Sequence, residues 1–135
     1  MTVVVDASVV VAALVDGGPE GAWAARVLAA PLVAPELMPF ECANVLRRLA
    51  ATGRLGDDLA TQAATDVLLL GVELWPYAPL AEHAWSLRGE LTIYDASYVA
   101  LAAELDAPLA TLDAKLVRAG ARKCQFLTPG SEPLL

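Results

Sequence analysis

Four acids, Asp6, Glu41, Asp95 and Asp113, occupy places where a carboxylate can do chemistry. Asp6 directly follows the apolar run Thr2-Val3-Val4-Val5, and Asp113 follows Pro108-Leu109-Ala110-Thr111-Leu112. Both runs read as buried parallel strands, and open parallel sheets bind ligands at the carboxyl ends of their strands. Asp95 opens a strongly apolar helix. Glu41 lies in the row Leu37-Glu41-Val45-Leu49, at i+4 spacing and apolar at every other position. A carboxylate on a core-facing stripe is costly unless it is paired or metal-bound. Four acids at one sheet edge repel one another and raise one another's pKa, and divalent cations remove that penalty. As an oxygen-only set with no His or Cys partner, the four suit Mg²⁺ or Mn²⁺ rather than Zn²⁺. Two such ions about 3.5–4 Å apart form a standard device for phosphodiester hydrolysis. Plainer roles stay open: helix N-caps for Asp6, Asp95 and Asp113, and a salt bridge from Glu41 to Arg48 or Arg88.

The elements that must position these acids can be read from turns and periodicity. Strands are expected at 2–6, 32–34, 72–75, 108–112 and 125–127. Helices are expected at 7–15, 20–30, 37–52, 55–70, 80–88, from Tyr94 or Asp95 to Leu105, and from 114 to Ala119. Gly17-Gly18-Pro19, Pro35, Gly53, Gly71 and Pro76 supply the breaks. Strands alternating with helices give an α/β domain around a parallel sheet. The tail from Thr128 to Leu135 is expected to fray.

Length and composition agree. At 135 residues the chain is one domain, 1–135. Hydrophobic residues make up 57% and charged residues 19%, which excludes a disordered chain. No apolar stretch reaches the roughly 20 residues of a membrane span, and the start reads as a strand, not a signal peptide. Cys42 and Cys124 lack metal-ligand spacing and are expected to be small buried hydrophobes in a reducing cytoplasm. The net charge of −7 argues at first against nucleic acid. The charge is uneven, however: residues 1–106 carry −9 and residues 107–135 carry +2.

The acids sit inside recognisable runs. Val4 to Val9 (V-V-D-A-S-V), Glu41 to Leu46 (E-C-A-N-V-L), Tyr94 to Ala102 (Y-D-A-S-Y-V-A-L-A) and Leu109 to Asp113 (L-A-T-L-D) resemble the four motifs of PIN-domain ribonucleases. In motif order and length the whole chain resembles the VapC toxins of toxin–antitoxin pairs. That resemblance implies a three-layer α/β/α fold and Mg²⁺-dependent endoribonuclease activity, with Mn²⁺ as a substitute. It implies catalytic and metal-site roles for Asp6, Glu41, Asp95 and Asp113, with Ser8, Asn44 and Thr111 supporting them. It also implies an RNA substrate, a small cognate antitoxin, a homodimer and no DNA binding by this chain alone. Ala114 and Lys115 stand where some relatives carry a further acid.

Lys115, Arg118 and Arg122 follow Asp113 at i, i+3 and i+7, and beside a nuclease site they are the preferred RNA-phosphate contacts. Arg47, Arg48 and Arg54 favour the carboxyl end of their helix and are the next candidates. His83 reads as an ordinary helix residue, and Trp23, Trp75 and Trp85 as core or interface. Two other classes compete. A catalytically inactive PIN-like binding module would be expected to lack one of the four acids. A phosphotransfer domain of haloacid-dehalogenase type would carry a second Asp two residues after Asp6, where Ser8 stands.

Overall fold

The computed structural model describes residues 1–131. Five short strands form one all-parallel sheet: β1 (Val3–Val5), β2 (Leu32–Pro35), β3 (Glu73–Trp75), β4 (Leu109–Ala110) and β5 (Phe126–Leu127), in the order β3-β2-β1-β4-β5. Seven helices lie between them among the described residues: α1 (Ala7–Val15), α2 (Pro19–Val27), α3 (Met38–Ala51), α4 (Asp57–Leu68), α5 (Ala81–Ser86), α6 (Ile93–Leu105) and α7 (Ala114–Gly120).

The strand order dictates the layers. From β1 the chain steps to β2 and then β3, always toward one edge. Right-handed crossovers therefore put α1 to α4 on one face. The chain then returns past β1 to β4 and β5, so the same rule puts α5, α6 and α7 on the other face. The packing agrees: α1 packs on α2, α3 and α4, while α5 packs on α6, which crosses β1, β2 and β4. The expected three-layer α/β/α architecture is what forms. Because direction reverses at β1, a crevice opens between the carboxyl ends of β1 and β4.

Burial explains these elements. Val3, Val4 and Val5 have no exposure, as suits a central strand covered on both faces. In α6 every residue from Ala96 to Ala102 is buried, and a run rich in alanine lets that helix sit close to the sheet. At the α1–α2 corner Gly21 lies against the carboxyl end of α1. A Cβ there would stand 1.8 Å from the Asp16 carbonyl oxygen.

Several boundaries differ from those expected. The segment expected as one helix over 80–88 is a 3₁₀ turn at Ala78–Leu80 followed by α5, with Pro79 inside the turn. Trp85, expected on the apolar side, is 59% exposed with the Arg88 guanidinium 4.6 Å from its ring centre. The helix after β4 stops at Gly120, so Arg122 lies beyond it at φ 73°. Part of the expected frayed tail is held: Ser131 N–H donates to the Thr128 carbonyl at 2.9 Å. Residues 132–135 of that tail lie outside the described residues. No described helix is long and apolar enough to cross a membrane.

Candidate active site

Asp6 leaves β1 where the sheet's hydrogen bonding ends, and its amide still donates to the Ala110 carbonyl of β4 at 3.1 Å. Asp6 stands at the N-cap of α1, but its carboxylate makes no side-chain cap hydrogen bond there. Instead Oδ2 accepts from Ser8 Oγ at 3.0 Å and from Thr111 Oγ1 at 2.6 Å. Each hydroxyl oxygen in turn accepts an amide: Leu112 N–H on Ser8 at 3.1 Å and Asp113 N–H on Thr111 at 3.0 Å. The two hydroxyls thus clamp one carboxylate oxygen and tie the β1 end to the β4 end. Burial raises the Asp6 pKa, and the two hydroxyls oppose that shift without cancelling it.

Glu41 sits in the first turn of α3, but not on its core stripe. The buried residues of α3 are Met38, Cys42 and Leu46. Glu41, Val45 and Leu49 form the next row round, half-buried, and line a cleft. The alternative left open, a salt bridge to Arg48 or Arg88, does not form. Glu41 Oε1 accepts from the Tyr98 hydroxyl at 2.6 Å, while Arg88 covers Trp85 and donates to its carbonyl. Burial raises the Glu41 pKa, the Tyr98 hydrogen bond lowers it, and the charges of Asp6 and Asp95 raise it further.

Tyr98 was not legible as a site residue, because it stands in an apolar helix among residues that all read as core. The available signal was its hydroxyl, which needs a partner when 1% of the residue is exposed. Tyr98→Phe keeps the ring and strands the carboxylate. If Glu41 ligates a divalent ion, as the resemblance implies, Mn²⁺ affinity and RNA cleavage should each fall about 10–100-fold, the usual cost of losing a group that orients a metal ligand. Calorimetry and a single-turnover cleavage assay check this.

Asp95 is in the first turn of α6 but does not cap it. Thr92 is the N-cap, its hydroxyl accepting from the Asp95 amide at 3.2 Å. The Asp95 pKa is raised, first by burial and then by the charges of Asp6 and Asp113. Asp113 does cap: its Oδ1 accepts from Lys115 N–H at 2.9 Å and Leu116 N–H at 3.3 Å, opening α7. For Asp113 the capping role and a site role coexist, since a carboxylate has two oxygens.

All four acids line one cleft of about 600 Å³ at the switch point. Val11, Ala12, Val15, Val45, Leu49 and Leu55 give it an apolar wall, and Asp16 and Arg54 also line it. The charges of Asp6 and Asp95 act on Glu41, and those of Asp6 and Asp113 act on Asp95. Among the described residues no three His, Cys, Asp or Glu side chains are gathered as a ready coordination shell. The donor set still fits a hard divalent ion: it is oxygen-only, and its four carboxylates line one cleft.

The remaining expected residues fall in different places. Asn44 is exposed, its Oδ1 accepting from Arg47 Nε at 3.1 Å, and it does not line the cleft. Lys115 and Arg118 are exposed on α7, where Arg118 lines a side groove with Thr111, Asp113 and Thr128. Arg122 does not share their helix. Cys42 is buried beneath the acids, and burial together with the Asp6 and Glu41 charges pushes its thiol up to about 12, so it is no nucleophile. His83 pairs with Glu104 at 3.2 Å, away from the cleft.

Comparison with known proteins follows this geometry. The PIN domain family matches residues 3–122. The VapC ribonuclease Mb0985 of Mycobacterium bovis is 41% identical over 90% of this chain and 94% of its own length. The crystal structure of PAE2754 from Pyrobaculum aerophilum superposes with a TM-score of 0.70 at 25% identity, over 93% of this chain and 83% of that one. VapBC2 from Rickettsia felis, bound to a DNA fragment from its promoter, gives a TM-score of 0.66 at 14% identity, over 95% and 98%. A match of this extent, over a chain whose four acids share the cleft at the sheet's switch point, makes the chain a member of the PIN domain family, among the VapC ribonucleases.

Proposed function

We propose that this chain is the toxin of a toxin–antitoxin pair: an endoribonuclease, dependent on Mg²⁺ or Mn²⁺, that hydrolyses RNA phosphodiesters by water attack without a covalent intermediate. The observation that carries this reading is the convergence of four carboxylates on one cleft, with one of them clamped by two hydroxyls. The relatives' names as ribonucleases support it.

Asp6, Glu41, Asp95 and Asp113 are the groups that would hold the ion. When bound, a divalent ion supplies an acidified water and positive charge against the phosphate. Ser8 and Thr111 hold Asp6 in one orientation, and Tyr98 does the same for Glu41. Lys115 and Arg118 are placed to hold the strand past Asp113, and Arg122 is the weaker candidate now that it lies off the helix.

The partners follow from surfaces. Pro35, Leu37, Trp75, Tyr77, Leu80 and Tyr94 line an apolar groove of about 380 Å³, and Phe40 is 79% exposed on α3. Such surface supports a homodimer and an antitoxin. The VapBC2 assembly, which shares the fold, supports the second partner. Cys42 and Cys124 are free thiols, in keeping with a cytoplasmic setting.

The test is brief expression followed by sequencing of RNA 5′ ends, with purified protein assayed in parallel. Chelation should abolish cleavage, and Mg²⁺ or Mn²⁺ should restore it. Activity that survives chelation would overturn the metal assignment. The alternative is an inactive PIN-like binding module, and the presence of all four acids in the cleft counts against it. RNA bound but never cut, at any concentration of either ion, would establish that reading instead.

A further inference from the structure

Arg54 is the one cation among the residues lining the acid cleft. Sequence alone ranks it with Arg47 and Arg48 as a reserve RNA-phosphate candidate, and the structure separates it from them by setting it on the cleft. Gly53 takes φ 73°, the left-handed conformation that ends α3 and that glycine adopts without strain. Beyond it, the amides of Arg54 and Leu55 both donate to the Leu49 carbonyl, at 2.9 and 3.1 Å. Gly53 N–H donates to Ala50, and Thr52 bonds Arg48 through both its amide and its hydroxyl. The backbone that carries Arg54 is therefore fixed, and its flanking partners Leu49 and Leu55 themselves line the cleft.

The side chain is uncommitted. Arg54 is exposed, and among the described residues the single ion pair is His83 with Glu104. Five carboxylates line the same cleft without one of them within ion-pair distance of Arg54. A guanidinium so placed presents a planar fork suited to a phosphate. A polyanion entering a cleft with this much negative charge needs a fixed cation there as well as the ions the acids hold.

We propose that Arg54 takes a phosphate of the RNA strand within the cleft, on the side of the scissile bond opposite Lys115 and Arg118. This rests on the ribonuclease reading and deepens it: the strand crosses the acids with arginine at one end and α7 at the other. Arg54 acts here by binding the substrate and performs no proton transfer.

The experiment uses the full chain as Asp95→Asn, so that the strand stays whole. Binding of a short fluorescein-labelled single-stranded RNA of mixed sequence is followed by anisotropy across a KCl series at fixed Mg²⁺. Adding Arg54→Gln should flatten the slope of log affinity against log salt by about 0.7, the share of one single-strand phosphate contact. Arg54→Lys should restore the slope. In the cleaving protein Arg54→Gln should raise KM. The melting temperature should not move, because the bonds that hold this turn are made by the backbone. An unchanged slope, in protein that still binds RNA and whose wild type still cuts it, overturns the role of Arg54 alone. A lowered melting temperature with no recovery of slope by lysine shows a structural role and also overturns it. Wild type that neither binds nor cuts RNA overturns both this proposal and the ribonuclease reading.

Discussion

Asp95→Asn should abolish RNA cleavage and, in metal-free buffer, raise the melting temperature. The two effects come from one cause. Asp95 is half-buried, and its carboxylate is disfavoured by burial and by the charges of Asp6 and Asp113. Its folded-state pKa is therefore raised. A raised carboxylate pKa contributes stability that is full below the unfolded value and is lost as pH rises through the folded one. At neutral pH the ionised group is therefore a net cost, and asparagine removes it. The advantage of the variant should shrink as pH falls toward the ordinary value of 3.8. Cleavage should drop by more than about a hundredfold, since a metal's charge stabilisation is worth several kcal/mol. Thermal melts across pH, with and without Mn²⁺, check both halves. An Asn variant less stable than wild type in metal-free buffer would show that Asp95 is a structural acid.

Gly21→Ala should cause a large loss of stability, because Gly21 is buried at the α1–α2 corner. The new methyl would lie 1.8 Å from the Asp16 carbonyl oxygen and 2.7 Å from its carbon. Backbone cannot swing aside as a side chain can, so α2 must move off α1. Overpacking of this kind costs about 3 kcal/mol or more, a fall of roughly 10 °C for a domain of this size. Gly17→Ala, where a Cβ meets nothing within 4 Å, is the control and should melt near wild type. Asp16 belongs to the cleft wall, so Gly21→Ala should also weaken RNA binding at temperatures where the variant is still folded.

The strands were legible because Val3–Val5, Leu32–Pro35 and Leu109–Ala110 are short apolar runs bounded by turn residues. Their order in the sheet was not, since it depends on contacts between distant segments that no local pattern encodes. Asp6 and Asp113 could be placed at strand ends from sequence, because that address follows from the strand alone. Glu41 was recognisable by its odd position in an apolar row, yet the row was assigned the wrong neighbour. Leu37-Glu41-Val45-Leu49 and Met38-Cys42-Leu46 differ by one residue, about 100° of helix, and both are apolar enough to be core. Only packing decides that the second row faces inward and the first lines the cleft. Tyr98 stayed hidden because it is buried in a helix whose neighbouring residues all read as core. Arg54 is legible only as one of three reserve cations near a helix end, and the fold alone sets it on the cleft.

The hydroxyl clamp on Asp6 joins residues 105 positions apart in the chain. Closing so long a loop is entropically slow, and contacts of high sequence separation form late in folding. The carboxylate is therefore oriented only after β4 has docked against β1. A chain emerging from its N-terminus carries Asp6, Glu41 and Asp95 well before it carries Thr111. Destabilising β4 should then speed unfolding while leaving the folding rate nearly unchanged. Cleaving power would be the last property the molecule acquires as it is made, and the first it loses as it comes apart.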